Sequence, residues 1–364
     1  MTAARAGIHE VMTSVGAALG APGFTDVLGL PRADRFVVLL VDGMGLDLVR
    51  EHAELAPHLA ALPNVEGVLA GIPSTTSVSL TSLGTGLRPG THGMAGYTCR
   101  IPGTQRFLNT LSWHDSVDPE QWQPHRNVLQ RLADDGVAVT VVNNPDFEDS
   151  GLTLCSQRGV PFVGAKRPWD RLAAVVDAVE LGDRSLVYAY EPSLDHTGHG
   201  HGVASEEWRT VLTQVDRDVQ DLRAALPDDV VLVVTADHGM VDVPVADRFD
   251  LVDHPGLRND VVLVAGEPRF RHIHTRSGSE RAVAKKWRQK LGDRAEVRLR
   301  EDAEEWFGPL DPAVRGRFGD VVVAALDDFA VFASDVFSIE LKLRGFHGSI
   351  TGRERRIPVL VSTQ

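Results

Sequence analysis

Asp229-Val230-Val231-Leu232-Val233-Val234 runs straight into Thr235-Ala236-Asp237-His238-Gly239-Met240. An apolar run without polar alternation predicts a strand buried on both faces of a parallel sheet. The adjacent Asp237 and His238 then put two metal-ligating side chains at the strand's carboxyl end. That is where open α/β sheets bind their ligands. A polar turn closing a strand would read the same way, so this stretch needs support from other strand ends.

Two other strand ends and one hydroxyl-rich turn supply it. Arg35-Phe36-Val37-Val38-Leu39-Leu40-Val41 predicts a first buried strand, followed by Asp42-Gly43-Met44-Gly45 and a helix from Leu46. Asp42 is placed either to ligate a metal or to cap that helix, and the two glycines allow a tight turn. The hydroxyl-rich stretch from Gly71 to Gly86 predicts a turn leading into a helix from about Ser77 to Leu83. A hydroxyl there is a cap or a nucleophile, and a helix N-terminus also favours phosphate. Ser185 to Tyr190 predicts a strand that ends in Glu191-Pro192-Ser193-Leu194-Asp195-His196-Thr197-Gly198-His199-Gly200-His201. Asp195 and His199, four apart, are spaced to share one ion, with His196 and His201 as competing candidates.

Between these ends, helices are expected over roughly Ile8 to Leu19, Asn127 to Asp135, Pro168 to Leu181 and Ser205 to Leu226, and a strand over Ala138 to Val142. Thr91 to Tyr97 reads as a loop bordering the site. Strands alternating with helices predict an α/β fold. Beyond Met240 the texture changes to short strands (Val261 to Val264, Phe270 to His274, Glu296 to Leu299, Asp320 to Ala325) around a basic helix from Ser279 to Leu291. We therefore expect a core of residues 1–242 and 335–364 and an inserted, smaller α+β cap of residues 243–334. His272 and His274 alternate on one strand face as weaker ligand candidates. Gly345-Phe346-His347-Gly348-Ser349 and a last strand from Ile357 to Val361 close the chain.

Composition sets limits. The 364 residues, 43% hydrophobic and 24% charged, suit a globular protein with a substantial core. A formal net charge of −13 opposes binding to a nucleic-acid polymer but not to a small phosphorylated molecule held by metal ions. Two cysteines, Cys99 and Cys155, are too few for a disulfide framework or a four-thiolate zinc site, and two buried thiols are expected rather than one bridge. No signal-peptide pattern and no membrane-length apolar stretch occur, so a soluble cytoplasmic protein without membrane contact is expected. The oligomeric state is left open.

Taken in order, Asp42, the Thr76 turn ending in Thr85-Gly86, Asp195-x-x-x-His199, Asp237-His238-Gly239 and His347-Gly348 resemble the alkaline phosphatase superfamily, and within it the nucleotide pyrophosphatase/phosphodiesterase branch. The resemblance covers about residues 35 to 240 and 340 to 364. It implies a three-layer sandwich with a mostly parallel central sheet. It also implies two divalent metal ions, usually zinc. Asp195, His199 and His347 would hold one ion, and Asp42, Asp237 and His238 the other, with Thr76 as metal-bound nucleophile. The family places the nucleophile ten residues before the Gly of the Thr-Gly pair, which selects Thr76 over Thr75 by one residue. Oxygen and nitrogen donors suit zinc, with manganese or iron as alternatives.

The implied chemistry is in-line attack of the threonine alkoxide on a phosphoester, with the metal pair about 4 Å apart, then hydrolysis of a phospho-threonine and net retention at phosphorus. His196 and His201 fall outside the ligand set. Two positions depart from the branch. Ser77 stands where an aromatic residue commonly follows the nucleophile, and Tyr97 falls where an Asn contacts the phosphoryl oxygen, which makes Tyr97 a candidate for that contact. The expected activity is thus a two-metal phosphodiesterase or nucleotide pyrophosphatase acting on a small phosphoester. The alternatives are a phosphomonoesterase or a phosphonoacetate-hydrolase-like enzyme of the same superfamily and, from another class, a catalytically degenerate metal- or phosphate-binding protein. A sulfatase is disfavoured because no Cys/Ser-x-Pro-x-Arg sequence stands at the nucleophile.

Overall fold

Arg35–Val41 lies inside the sheet that carries every strand end considered above. The structure, a computed structural model, describes residues 6–363. Among the described residues the central sheet has six strands, in the order Val359–Ser362, Val230–Thr235, Arg35–Val41, Ser185–Glu191, Ala138–Asn143, Phe162–Gly164. Neighbours are parallel except Val359–Ser362, which runs antiparallel to Val230–Thr235. Ser185–Glu191 and Val230–Thr235 are buried along their whole length. Their apolar sequences therefore do not alternate, because neither face meets water.

Helices cover the sheet through one stripe each. Pro168–Val179 buries Val175 and Val179, and Glu206–Ala225 buries Trp208, Leu212, Val215 and Val219. Ser205 caps the latter by accepting from the Trp208 amide at 3.1 Å. The N-terminal helix begins with a 3-10 turn, Ile8–Glu10, and continues over Val11–Ala18.

The inserted segment forms an antiparallel sheet in the order Val261–Glu267, Phe270–Thr275, Val321–Ala325, Ala295–Leu299. Alternation sorts its side chains. Ile273, Val321 and Val323 pack with Trp287 of the helix Glu280–Leu291. Phe270, Val322 and Ala324 belong to the main core with Phe307 and Phe318. The second sheet is thus sealed against the first rather than standing off it.

Residues after Glu191, to which the sequence assigned no conformation, form a helix, Ser193–His201. Thr91 and His92 belong to a short helix, Pro89–His92, before the loop. The hairpin of Thr98–Arg100 with Phe107–Asn109 and the edge strand Phe162–Gly164 carry too few apolar residues to stand out in the sequence. Cys99 and Cys155 are free and buried, and burial pushes their thiols up to about 11 and about 12. Among the described residues no helix is long and apolar enough to cross a membrane.

Candidate metal centre and nucleophile

Strand register builds the site. Val41 pairs with Glu191 and Leu40 with Thr235, so three parallel strands end at one edge and deliver Asp42, the helix carrying Asp195, and Asp237-His238 side by side. The turns after two of these strands must approach closely. A β-carbon at Gly45 would fall 2.6 Å from the Gly239 Cα, and one at Gly239 would fall 2.2 Å from the Arg353 carbonyl oxygen. Only glycine fits both positions. The Gly43 and His238 amides then donate to Asp237 Oδ1 at 3.1 and 3.0 Å, leaving Oδ2 free.

The helix Ser193–His201 puts Asp195 and His199 on one face, i and i+4, with Oδ2 and Nε2 3.4 Å apart. Gly198 lets this helix close in, since a β-carbon there would meet Met240 Sδ at 2.4 Å. His347 arrives from the C-terminal part of the chain. Its Nε2 lies 3.7 Å from Asp195 Oδ1 and 3.2 Å from His199 Nε2. Its ring stacks on His238 with centroids 3.6 Å apart. His238 Nε2 lies 3.3 Å from Asp237 Oδ2 and 3.5 Å from Asp42 Oδ1.

All three imidazoles are oriented alike. His199 Nδ1 faces the Gly345 carbonyl at 2.8 Å, His347 Nδ1 the Ser74 carbonyl at 3.1 Å, and His238 Nδ1 the Gly239 carbonyl at 3.0 Å. A carbonyl oxygen can only accept, so each Nδ1 carries the hydrogen and each Nε2 presents a lone pair. The Nε2 lone pairs of His199 and His347 then face one another, which is unfavourable without a cation between them. Asp42 Oδ1, Asp195 Oδ1 and Asp237 Oδ2 are buried without a hydrogen-bond partner. Asp195, His238 and His347 form one group of ligand atoms within 4.8 Å of one another, and Asp42, Asp237 and His238 form a second. Oxygen and nitrogen donors at such spacings fit divalent ions with bonds of about 2.0–2.2 Å.

Electrostatics agree with that fit. Burial, with Asp237 and Asp195 nearby, holds the Asp42 carboxyl well above the usual carboxylate range. Burial also raises Asp237, against the pull of His238. His347 is held well below the usual imidazole range by burial and by His238 and His199. Left to themselves the carboxylates repel, and a cation relieves the conflict.

Thr76 opens the helix Thr76–Thr85, and its Oγ1 lies 3.1 Å from His238 Nε2. The Thr75 side chain is instead hydrogen bonded to Glu267. Ser77 Oγ donates to the Gly96 carbonyl at 3.0 Å, a structural use. A cavity of about 430 Å³ opens over these residues, and Tyr97 lines it with its hydroxyl accepting from Asn109 Nδ2 at 2.8 Å. His196 is exposed at the cavity edge, and His201 is exposed with Nδ1 3.5 Å from Glu207. His272 is used elsewhere: Nε2 meets the Ala95 carbonyl at 2.7 Å and Nδ1 accepts from the Gly319 amide at 3.0 Å. His274 is buried, and neither histidine joins a group of candidate metal ligands among the described residues.

Sequence reasoning missed two residues here. Tyr190 hydrogen bonds Asp42 Oδ2 through its hydroxyl, and it occupies the strand that the sequence did predict, two residues past Tyr188, which is also buried. Glu267 reaches the cavity from the inserted sheet, and burial pushes its carboxyl up to about 8. Nothing local in Glu267's sequence ties it to residues more than a hundred positions away.

A mostly parallel α/β sheet with carboxylates and imidazoles gathered at its strand ends, beside a threonine that opens a helix, is the arrangement of the alkaline phosphatase superfamily. Residues 36–349 match the family described as type I phosphodiesterase / nucleotide pyrophosphatase, and the chain belongs to that family. It is similar to an uncharacterized pyrophosphatase/phosphodiesterase of Schizosaccharomyces pombe, with 24% identity over 222 residues, 56% of this chain and 44% of the relative. It is also similar to the human catalytic subunit of GPI ethanolamine phosphate transferase 3, with 37% identity over 251 residues, 57% of this chain and 20% of the relative. The chain thus spans less than half the length of these curated relatives. In fold it resembles murine ectonucleotide pyrophosphatase / phosphodiesterase 5, with a TM-score of 0.73 and 18% identity over 90% of this chain and 87% of the other. An inactive variant of that murine protein, in complex with AMP, superposes equally well.

Proposed function

We propose that the chain is a two-metal phosphodiesterase of the nucleotide pyrophosphatase type with Thr76 as its nucleophile. Asp195, His199 and His347 hold one ion, and Asp42, Asp237 and His238 the other. Zinc suits this oxygen–nitrogen donor set best, with manganese or iron as alternatives. The observation that carries the reading is the pair of facing Nε2 lone pairs, His199 to His347 at 3.2 Å, beside three carboxylate oxygens with no partner.

Two divalent ions, when bound there, act as Lewis acids that acidify the Thr76 hydroxyl and take up charge on the phosphoryl and leaving oxygens. Thr76 Oγ1 lies 3.1 Å from His238 Nε2, within reach of an ion held by that nitrogen, and the helix that Thr76 opens turns unpaired backbone N–H groups toward a phosphate. The Thr76 hydroxyl gives its proton to solvent, Oγ attacks phosphorus in line, the bond to the leaving oxygen breaks and that oxygen takes a proton from water, and Thr76 retains the phosphoryl group with its second ester arm. Water then displaces Oγ from the opposite side, so configuration at phosphorus is retained overall. Tyr97 lies in the cavity wall to contact the phosphoryl group.

The substrate is read as a small phosphoester rather than a nucleic-acid polymer, in keeping with the formal charge of −13. The division into a core of residues 1–242 and 335–364 and an insert of residues 243–334 is retained, with residues 1–5 and 364 outside the described structure. Two buried free thiols are in keeping with a cytoplasmic location.

Acid quenching during turnover of bis(p-nitrophenyl) phosphate tests the nucleophile. Peptide mass spectrometry is expected to find the p-nitrophenyl phosphoryl group on Thr76. The same group on Thr75, or turnover with no labelled peptide, would overturn the assignment.

A further inference from the structure

Glu267 and Glu340 line the cavity that holds Thr76. They are 4% and 3% exposed, and each leaves Oε1 buried without a hydrogen-bond partner. Glu340 Oε2 accepts from Arg271 Nη2 at 2.5 Å, while Glu267 is held by the Thr75 side chain and the Tyr97 backbone. Room for Glu267 is made by glycines: a β-carbon at Gly348 would lie 2.8 Å from its Cγ, and one at Gly96 would lie 3.3 Å from Oε1. A buried acceptor without a donor costs about 1–3 kcal/mol, so such atoms point to a ligand that supplies the donor. The remaining wall is largely apolar, with Leu80, Leu152, Ile339 and Phe346. Among the described residues no Lys or Arg lines it, so an anionic substituent would meet carboxyls and find no cationic side chain beyond the imidazoles.

We propose that the cavity selects a phosphodiester whose retained arm is aliphatic and ends in a hydroxyl or ammonium donor, and that Glu267 receives that donor. The inference rests on the phosphodiesterase reading above and deepens it from reaction to substrate class. Glu340 lines the same cavity, and its ion pair with Arg271 leaves its Oε1 as a second acceptor.

Four p-nitrophenyl phosphodiesters with hydroxybutyl, aminobutyl, pentyl and carboxybutyl arms test it on the metal-loaded full chain. The hydroxybutyl and aminobutyl esters are expected to exceed the pentyl ester in kcat/KM by about tenfold, the worth of one hydrogen bond to a carboxyl. The carboxybutyl ester is expected to fall below pentyl. Glu267→Gln keeps a carbonyl acceptor and should retain part of the hydroxybutyl-to-pentyl ratio, and Glu267→Ala should bring both donor-to-pentyl ratios close to one. A purely structural role would lower all four rates with the ratios kept, and that result overturns the assignment to Glu267. Equal rates on the hydroxybutyl, aminobutyl and pentyl esters, or a preference for carboxybutyl, overturn the inference while leaving the phosphodiesterase standing. Hydrolysis of none of the four overturns both.

Discussion

Thr76 Oγ1 lies 3.1 Å from Nε2 of His238, a residue 162 positions further along the chain. Because His238 Nδ1 is committed to the Gly239 carbonyl, Nε2 is the acceptor and the Thr76 hydroxyl the donor. The contact aims the oxygen of Thr76, and not that of Thr75, into the carboxylate–imidazole cluster. Thr76→Ala should reduce turnover of a diester to about a thousandth or less while leaving metal content unchanged. Thr75→Ala should retain most activity. Steady-state kinetics with elemental analysis of the same preparations checks both.

The ligand set makes a second prediction. Asp237→Asn and His347→Ala each remove a group that only a cation satisfies, so each variant should lose about one ion per chain. Unchanged metal stoichiometry in either variant would remove that residue from the ligand set.

Tyr190 acts through Asp42. Its hydroxyl hydrogen bonds Asp42 Oδ2 and turns Oδ1 toward the site. Tyr190→Phe should therefore weaken metal affinity by about 10-fold or more, as loss of a ligand-orienting hydrogen bond does elsewhere. A chelator competition titration measures it. The fold should survive, because only one oxygen is removed.

Buried histidines away from the strand ends, His92 and His272 among them, contribute to the acid stability. His92 accepts from the Met94 amide at 3.1 Å and meets Ser82 Oγ at 2.9 Å, and burial pushes it down to about 3. His272 is pushed down to about 4, again by burial. In the unfolded chain both return to about 6.5, so the unfolded state takes up protons first as the pH falls. Their contribution is therefore complete above about pH 6.5 and is lost progressively toward the folded values. Where both titrate, the slope approaches about 2.7 kcal/mol per pH unit. Urea unfolding from pH 7 to pH 5 should show the decline, and His92→Gln should flatten it by about 1.4 kcal/mol per pH unit, the slope of one proton.

Much of this site could be read from the chain because its residues sit where apolar runs stop. Asp42, Asp237 and His238 each follow a strand whose composition is unmistakable, and burial on both faces is what makes those runs continuous. Asp195 and His199 were legible by their spacing, although the helix that presents them was not. Leu194 and Gly198 are its only buried residues, too few to form an amphipathic stripe. His347 could be placed only by its order among the other motifs, since two residues of strand precede it. Tyr190 and Glu267 show what local pattern cannot carry: each matters through a contact made across the fold, with Asp42 and with Thr75. The inserted sheet was predicted as strands, but its sealing against the main core through Phe270, Phe307 and Phe318 depends on packing between distant segments.

Metal content and hydrolysis, measured on one sample, test the central claim most directly. Elemental mass spectrometry should find about two zinc-like ions per chain, and bis(p-nitrophenyl) phosphate should be cleaved faster than p-nitrophenyl phosphate. Faster cleavage of the monoester would contradict the diesterase assignment. Absence of bound metal, with no hydrolysis of either ester after zinc or manganese is added, would contradict the account as a whole.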